Sequence, residues 1–181
     1  MKPYVALFRG INVGGKNSLP MATLVSLLTD LGCRGVRTYI QSGNAVFESE
    51  VQDAGELAQA IRAAIGERCG FEPALFLLEP QDIEGAIRGN PFPEAEGDPQ
   101  SLHVGFLAAV PSSPDLAGLE SLRKDSERFH LTGRLFYLHA PEGVGRSKLA
   151  AAAERLLGVP VTDRNWRTVC KICDMLKMLP G

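Results

Sequence analysis

Apolar residues recur along the chain with two periods, near two and near 3.6, and turn-forming residues separate the segments. Tyr4-Val5-Ala6-Leu7-Phe8 is a short apolar run of strand length. After a glycine-rich stretch, Ser18 and Pro20 signal a helix start, and Met21, Leu24, Leu27, Leu28 and Leu31 follow at helical spacing until Gly32. Residues 36–41 and 45–48 flank Ser42-Gly43-Asn44, which predicts a hairpin. Leu57, Ile61 and Ile65 mark a second helix, and residues 74–78 a further strand.

Strand, helix, strand, strand, helix, strand is the split βαβ, or ferredoxin-like, order. A short helix at 81–88 then leads into a stretch dense in proline and glycine, up to Gly97-Asp98-Pro99. The second half repeats the plan, with strands at 102–108, 129–131, 135–138 and 159–162, and helices at 114–127 and 148–157. A last helix is expected from about Arg164 to Met178. The expected class is therefore α/β in the α+β sense: two ferredoxin-like lobes in tandem, with mainly antiparallel sheets, helices packed on them and a C-terminal helix. The expected domains are residues 1–88 and 101–181, joined by a linker at 89–100.

Of the 181 residues, nearly half are apolar and the net charge is −2, which argues against a duplex-DNA binder. The charge is unevenly spread. Residues 1–47 hold five bases against one acid, residues 48–101 three against twelve, and residues 102–181 eleven against eight. An anion would be drawn to the two ends and repelled by the middle. No secretory leader or membrane span is legible, so a cytoplasmic protein is expected, with its four cysteines as thiols and no membrane partner.

The stretch Arg9-Gly10-Ile11-Asn12-Val13-Gly14-Gly15-Lys16-Asn17 changes that plain picture. It fits the phosphate-cradling pattern G-x-x-x-x-G-K, except that Asn17 stands where Ser or Thr should follow. An antiparallel sheet and a helix that starts beyond Lys16 both speak against a nucleotide hydrolase, which needs parallel crossovers. The expectation is an anion site of another kind, with charge from Arg9 and Lys16 and close backbone approach at Gly10, Gly14 and Gly15. Thr162-Asp163-Arg164-Asn165-Trp166-Arg167-Thr168 opens the last helix in this reading, with Thr162 and Asp163 as caps. Its arginines and single tryptophan suit either a ligand or plain packing.

Other chemistry is thinly signalled. Tyr4, Phe8, Tyr39 and Phe47 invite an RNA-stacking reading, but the surrounding signature is missing and burial between the lobes is expected. His103, His130 and His139 lie scattered in strands, and Cys170 and Cys173 share a helix face without a second pair to complete a zinc site. No catalytic residue, metal ligand or cofactor is assigned.

Three ordered blocks carry a resemblance: Ala6 to Asn17, Thr38 to Asn44, and Arg164 to Val169 with Lys171. Together they resemble the uncharacterised bacterial family known as domain of unknown function 1697 (DUF1697). The resemblance implies an α/β fold of two ferredoxin-like halves and implies no activity. It marks as motif positions the Arg9–Asn17 loop, the Gln41–Asn44 turn and the Arg164–Thr168 helix start.

In a split βαβ lobe the first two of these lie toward one end of the sheet. The expected ligand-binding set is Arg9, Asn12, Gly14, Gly15, Lys16, Asn17, Ser42, Gly43, Asn44, Arg164, Asn165 and Trp166, forming a basic pocket between the lobes. Its expected partner is an anionic small molecule or a short single-stranded nucleic acid. Two alternatives stand beside it: a phosphoryl- or nucleotidyl-transfer enzyme using Lys16 with Glu79 or Asp163, and an interaction module that takes no ligand.

Overall fold

In the computed structural model, which describes residues 1–180, the chain forms two units. One comprises Met1–Gly85 with Lys171–Gly181, and the other Ala86–Cys170. In the first, β1 (Lys2–Arg9) is buried from Tyr4 to Phe8, and the apolar run read from the sequence is the central strand of a sheet. The loop after it leads to α1 (Met21–Asp30), which buries Leu24, Leu27 and Leu28. Pro20 supplies a fixed φ at the helix start and no side chain caps it. The helix stops at Gly32 (φ +81°), where the Cys33 N–H reaches the Leu28 carbonyl, a Schellman ending.

β2 (Arg34–Tyr39) and β3 (Asn44–Ser49) form the expected hairpin. Asp53 caps α2 (Ala54–Cys69) by accepting from the Glu56 N–H, and β4 (Ala74–Leu78) follows. All pairings are antiparallel, in the order β2-β3-β1-β4. Helix α3 (Pro80–Arg88) and a short 3-10 turn, Pro93–Gly97, come next.

The second unit repeats the order with β5 (Leu102–Leu107), α4 (Leu116–Leu122), β6 (Arg128–Thr132), β7 (Leu135–His139), α5 (Lys148–Leu157) and β8 (Val161–Asn165), arranged β6-β7-β5-β8. Each sheet thus has the split βαβ strand order. Helix α6 (Trp166–Leu176) closes the chain.

Two expectations are corrected. The helix expected over 114–127 covers only Leu116–Leu122, because Arg123 is extended and its guanidinium bonds the carbonyls of Lys124 and Glu127, tying off a turn. The segment expected to open the last helix is instead strand β8, in register with β5 from His103↔Asn165 to Leu107↔Val161. Thr162 and Asp163 therefore cap nothing; the cap is Asn165, whose Oδ1 accepts from the Thr168 N–H. Burial of the polar Thr162 and Arg164 on one face of β8 hid the strand's alternation.

The rings weighed for RNA stacking are also placed differently. Tyr4, Phe8 and Phe47 pack in the helix-side core of their own lobe, with Leu24 and Leu28 of α1 and Leu57 and Ile61 of α2. A base cannot stack on them.

Candidate functional site

Residues 10–17 fold into a miniature hairpin. The Asn12 N–H reaches the Asn17 carbonyl at 3.0 Å, and the Lys16 N–H reaches the Val13 carbonyl at 3.1 Å. Gly14 (φ +60°) and Gly15 (φ +73°) occupy the two central positions of the turn, both left-handed, as the tight type I′ turn requires. Gly10, Asn12 and Asn17 are left-handed as well. Backbone of this kind persists only where its surroundings over-determine it.

Side-chain amides do that here. Asn12 Nδ2 donates to the carbonyls of Leu19 and Gln41, both at 2.9 Å, and Asn12 Oδ1 accepts from the Leu19 N–H at 2.7 Å. Asn17 Nδ2 donates to the Gly10 carbonyl at 3.0 Å. The two asparagines brace the neck of the hairpin, and Val13, Gly14, Gly15 and Lys16 are exposed beyond it. Among the described residues, Lys16 makes no ion pair and the Gly14 and Gly15 amides have no partner in the chain. Arg9, at the end of β1, is also exposed.

The Gln41–Asn44 turn lies against this loop, as the strand directions imply. The Phe8 N–H bonds the Gly43 carbonyl at 2.8 Å, and the Asn12–Gln41 bond joins the two segments again. Gly43 is buried at φ +85°, where a Cβ would stand 2.5 Å from Ile11 Cδ1 and 2.8 Å from Phe8 Cβ. Asn44 is fully buried; its Nδ2 donates to the Tyr39 carbonyl at 3.0 Å and reaches Ser42 Oγ at 3.3 Å. Two apolar residues missed by the sequence reading are exposed here: Val13 (66%) and Ile40 (50%). Ile40 adopts φ +51°, a rare conformation for a β-branched residue. The sequence signal was its place one residue before a turn.

Arg164, Asn165 and Trp166 belong to the second unit. Arg164 is buried in β8 and donates from Nη1 to Thr162 Oγ1 at 2.9 Å and to the Asp163 carbonyl at 2.8 Å. Burial pulls its pKa down to about 10, so it remains a cation at neutral pH. Trp166 is 4% exposed, and its ring packs in the interior.

On the other face of β8, Asp163 Oδ2 lies 2.7 Å from His103 Nδ1, and His103 Nε2 faces the Gln100 carbonyl at 3.0 Å. Burial works against the charged ring, but the Asp163 carboxylate and the Gln100 carbonyl prevail and its pKa is raised.

Lys16 and Glu79, one of the two pairings named for a transfer enzyme, lie apart within the first unit. Glu79 follows β4, beside the beginning of β1, where it is ion-paired to Lys2 at 2.5 Å; Lys16 lies beyond the opposite end of β1. Among the described residues, no group of three His, Cys, Asp or Glu side chains could hold a metal ion. Among the described residues, no helix is long and apolar enough to cross a membrane.

Comparison with known proteins agrees with this architecture. The family model for a protein of unknown function, DUF1697, matches residues 1–137, and the chain belongs to that family. A conserved bacterial protein, SP0830 from Streptococcus pneumoniae, has a similar structure, with a TM-score of 0.68 at 30% sequence identity over 96% of this chain and 98% of that one. No curated protein matches the chain.

Proposed function

We propose that this member of the family is a binding protein whose first lobe presents the Val13–Lys16 hairpin tip to an anionic ligand. The ligand class is a phosphorylated or carboxylated small molecule, or the phosphates of a short single-stranded nucleic acid. The observation that carries the reading is the exposed Lys16 ammonium beside two uncommitted glycine amides, held on a neck that Asn12 and Asn17 have already ordered. A pre-ordered donor set loses little conformational entropy on binding. Arg9 and the basic excess of residues 1–47 add attraction at longer range. In this reading Asn12, Asn17 and Asn44 shape the site and do not touch the ligand.

The test is thermal unfolding of wild type and Lys16→Ala with tripolyphosphate, nucleotides with and without magnesium, and short single-stranded RNA. A ligand at about a hundred times its Kd adds roughly 2.7 kcal/mol, and each kcal/mol is worth about 2–4 °C in a chain of this size. A rise of several degrees that disappears in Lys16→Ala supports the reading. Equal rises in both proteins, or none with any compound, remove the hairpin as an anion site.

A second reading, an interaction module, draws support from Val13 and Ile40, which flank the Asn12–Gln41 hydrogen bond and are exposed. Under that reading Val13→Ser and Ile40→Ser abolish a protein contact and leave every thermal shift unchanged.

A further inference from the structure

The strongest unassigned feature lies away from the hairpin, still within the first unit. A half-open cleft of about 280 Å³ is lined by Glu48 of β3, by Pro3 of β1, by Pro80 and Glu84 of α3, and by Leu176 and Leu179 at the end of the chain. Glu48 alternates with Phe47 along β3, so it sits on the sheet face opposite the helix-side core.

Glu48 is 5% exposed. Among the described residues its carboxylate has no hydrogen-bond or ion-pair partner, even though Arg34 stands opposite it in the β2–β3 register. Lys177, also on the lining, is directed to Asp174 at 3.4 Å and is largely exposed. Among the described residues no buried side-chain oxygen or nitrogen lacks a partner, so the unpartnered Glu48 oxygens keep the little exposure this residue has, and a cation entering the cleft that Glu48 lines can add a charge-assisted hydrogen bond to them.

We propose that this cleft binds a small organic ammonium ion. Its charged head pairs with Glu48, and its apolar body lies against Pro3, Pro80, Leu176 and Leu179. The second carboxylate, Glu84, is exposed, and Met1 and Lys177 share the lining with it. A bare metal ion fits less well, because calcium-like ions take six to eight oxygen ligands and no group of three ligating side chains is present among the described residues. An anion would face Glu48 and Glu84, while Lys177 on the same lining is directed to Asp174. A neutral ligand would leave the Glu48 charge unpaired. The volume lies at the small end for ligand pockets, which sets the size of the guest.

The experiment is calorimetric titration of the full chain with 2-phenylethylammonium, its neutral isostere 2-phenylethanol, and 3-phenylpropionate. The ammonium ion binds about tenfold or more tightly than the alcohol, as expected where a charged hydrogen bond is added, and any binding of the carboxylate is unaffected by Glu48→Gln. Glu48→Gln removes the preference for the ammonium ion and leaves the weak binding of the alcohol. Glu84→Gln, at an exposed position, weakens the ammonium ion by a smaller factor.

Charge selectivity in wild type requires no variant, so the test holds even if Glu48→Gln fails to fold. Equal affinity for ammonium ion and alcohol, no heat from any of the three, or an unchanged preference in folded Glu48→Gln overturns the proposal.

Discussion

Asn12 spends one side-chain amide on three hydrogen bonds while its own backbone sits at φ +54°. Asn12→Ala loses all three and places alanine in a left-handed conformation, which together should destabilise the protein by about 2–4 kcal/mol. Urea unfolding checks this against Lys16→Ala, which is expected within about 0.5 kcal/mol of wild type because its side chain is exposed. If both variants match wild type, Asn12 does not hold the neck. His103 gives a prediction in pH. Its raised pKa means that the charged ring contributes fully below the unfolded value near 6.5, and that the contribution is lost as pH rises through the higher folded value. His139 acts in the opposite sense, since burial and then Arg128 lower its pKa. The informative quantity is therefore the gap in unfolding free energy between wild type and Asp163→Asn. It should be widest near pH 6 and narrow toward pH 8.5; a gap independent of pH would mean that His103 is not charged in the fold.

At the scale of elements, the joint between the β1 loop and the β2–β3 turn depends on Gly43. An alanine there meets Ile11 and Phe8 and also carries the left-handed penalty, so Gly43→Ala should cost about 2–4 kcal/mol. Gly14 has nothing within 4 Å of a built Cβ, and Gly14→Ala bears only the conformational cost, about 1–2 kcal/mol. Melting temperatures separate the two, and equal losses would show that the close approach at Gly43 is relieved without strain. The same region shows what was legible in the sequence. Periodicity placed β1, α1, α2, β4, β5 and α5 well, because each puts apolar residues on a defined face. It found only the start of β8, whose inward residues Thr162 and Arg164 are polar, and it overran the end of α4, where the apolar positions stop and a side-chain-tied turn begins. The hairpin loop was recognised as a place of interest but not as a hairpin. Its asparagines read as ligand groups because sequence does not show that Leu19, Gln41 and Gly10 carbonyls had already claimed them.

Over the whole molecule the two halves share one strand order, and the repeat plan read from alternating elements is the plan of the fold. What periodicity could not show is that Lys171–Gly181 belongs with the first unit, because a pattern records which face of a helix is buried and not what covers it. Ile172 is fully buried and Met175 nearly so. Farther on, Leu179 and Pro180 lie so close to Gly35 that a Cβ there would stand 3.2 Å from Leu179 and 3.0 Å from Pro180. Loss of buried side chains the size of Ile172 and Met175 costs about 2–5 kcal/mol each, against a typical total stability of about 5–15 kcal/mol. A chain that stops after Cys170 should therefore lose most of the protection of its first sheet. Hydrogen exchange of peptides from β1 and β5 reads the two units separately. The expected result is fast exchange in β1 with slow exchange kept in β5. Protection kept in both would show that the first sheet stands without the tail, and loss in both would show that the two units unfold as one.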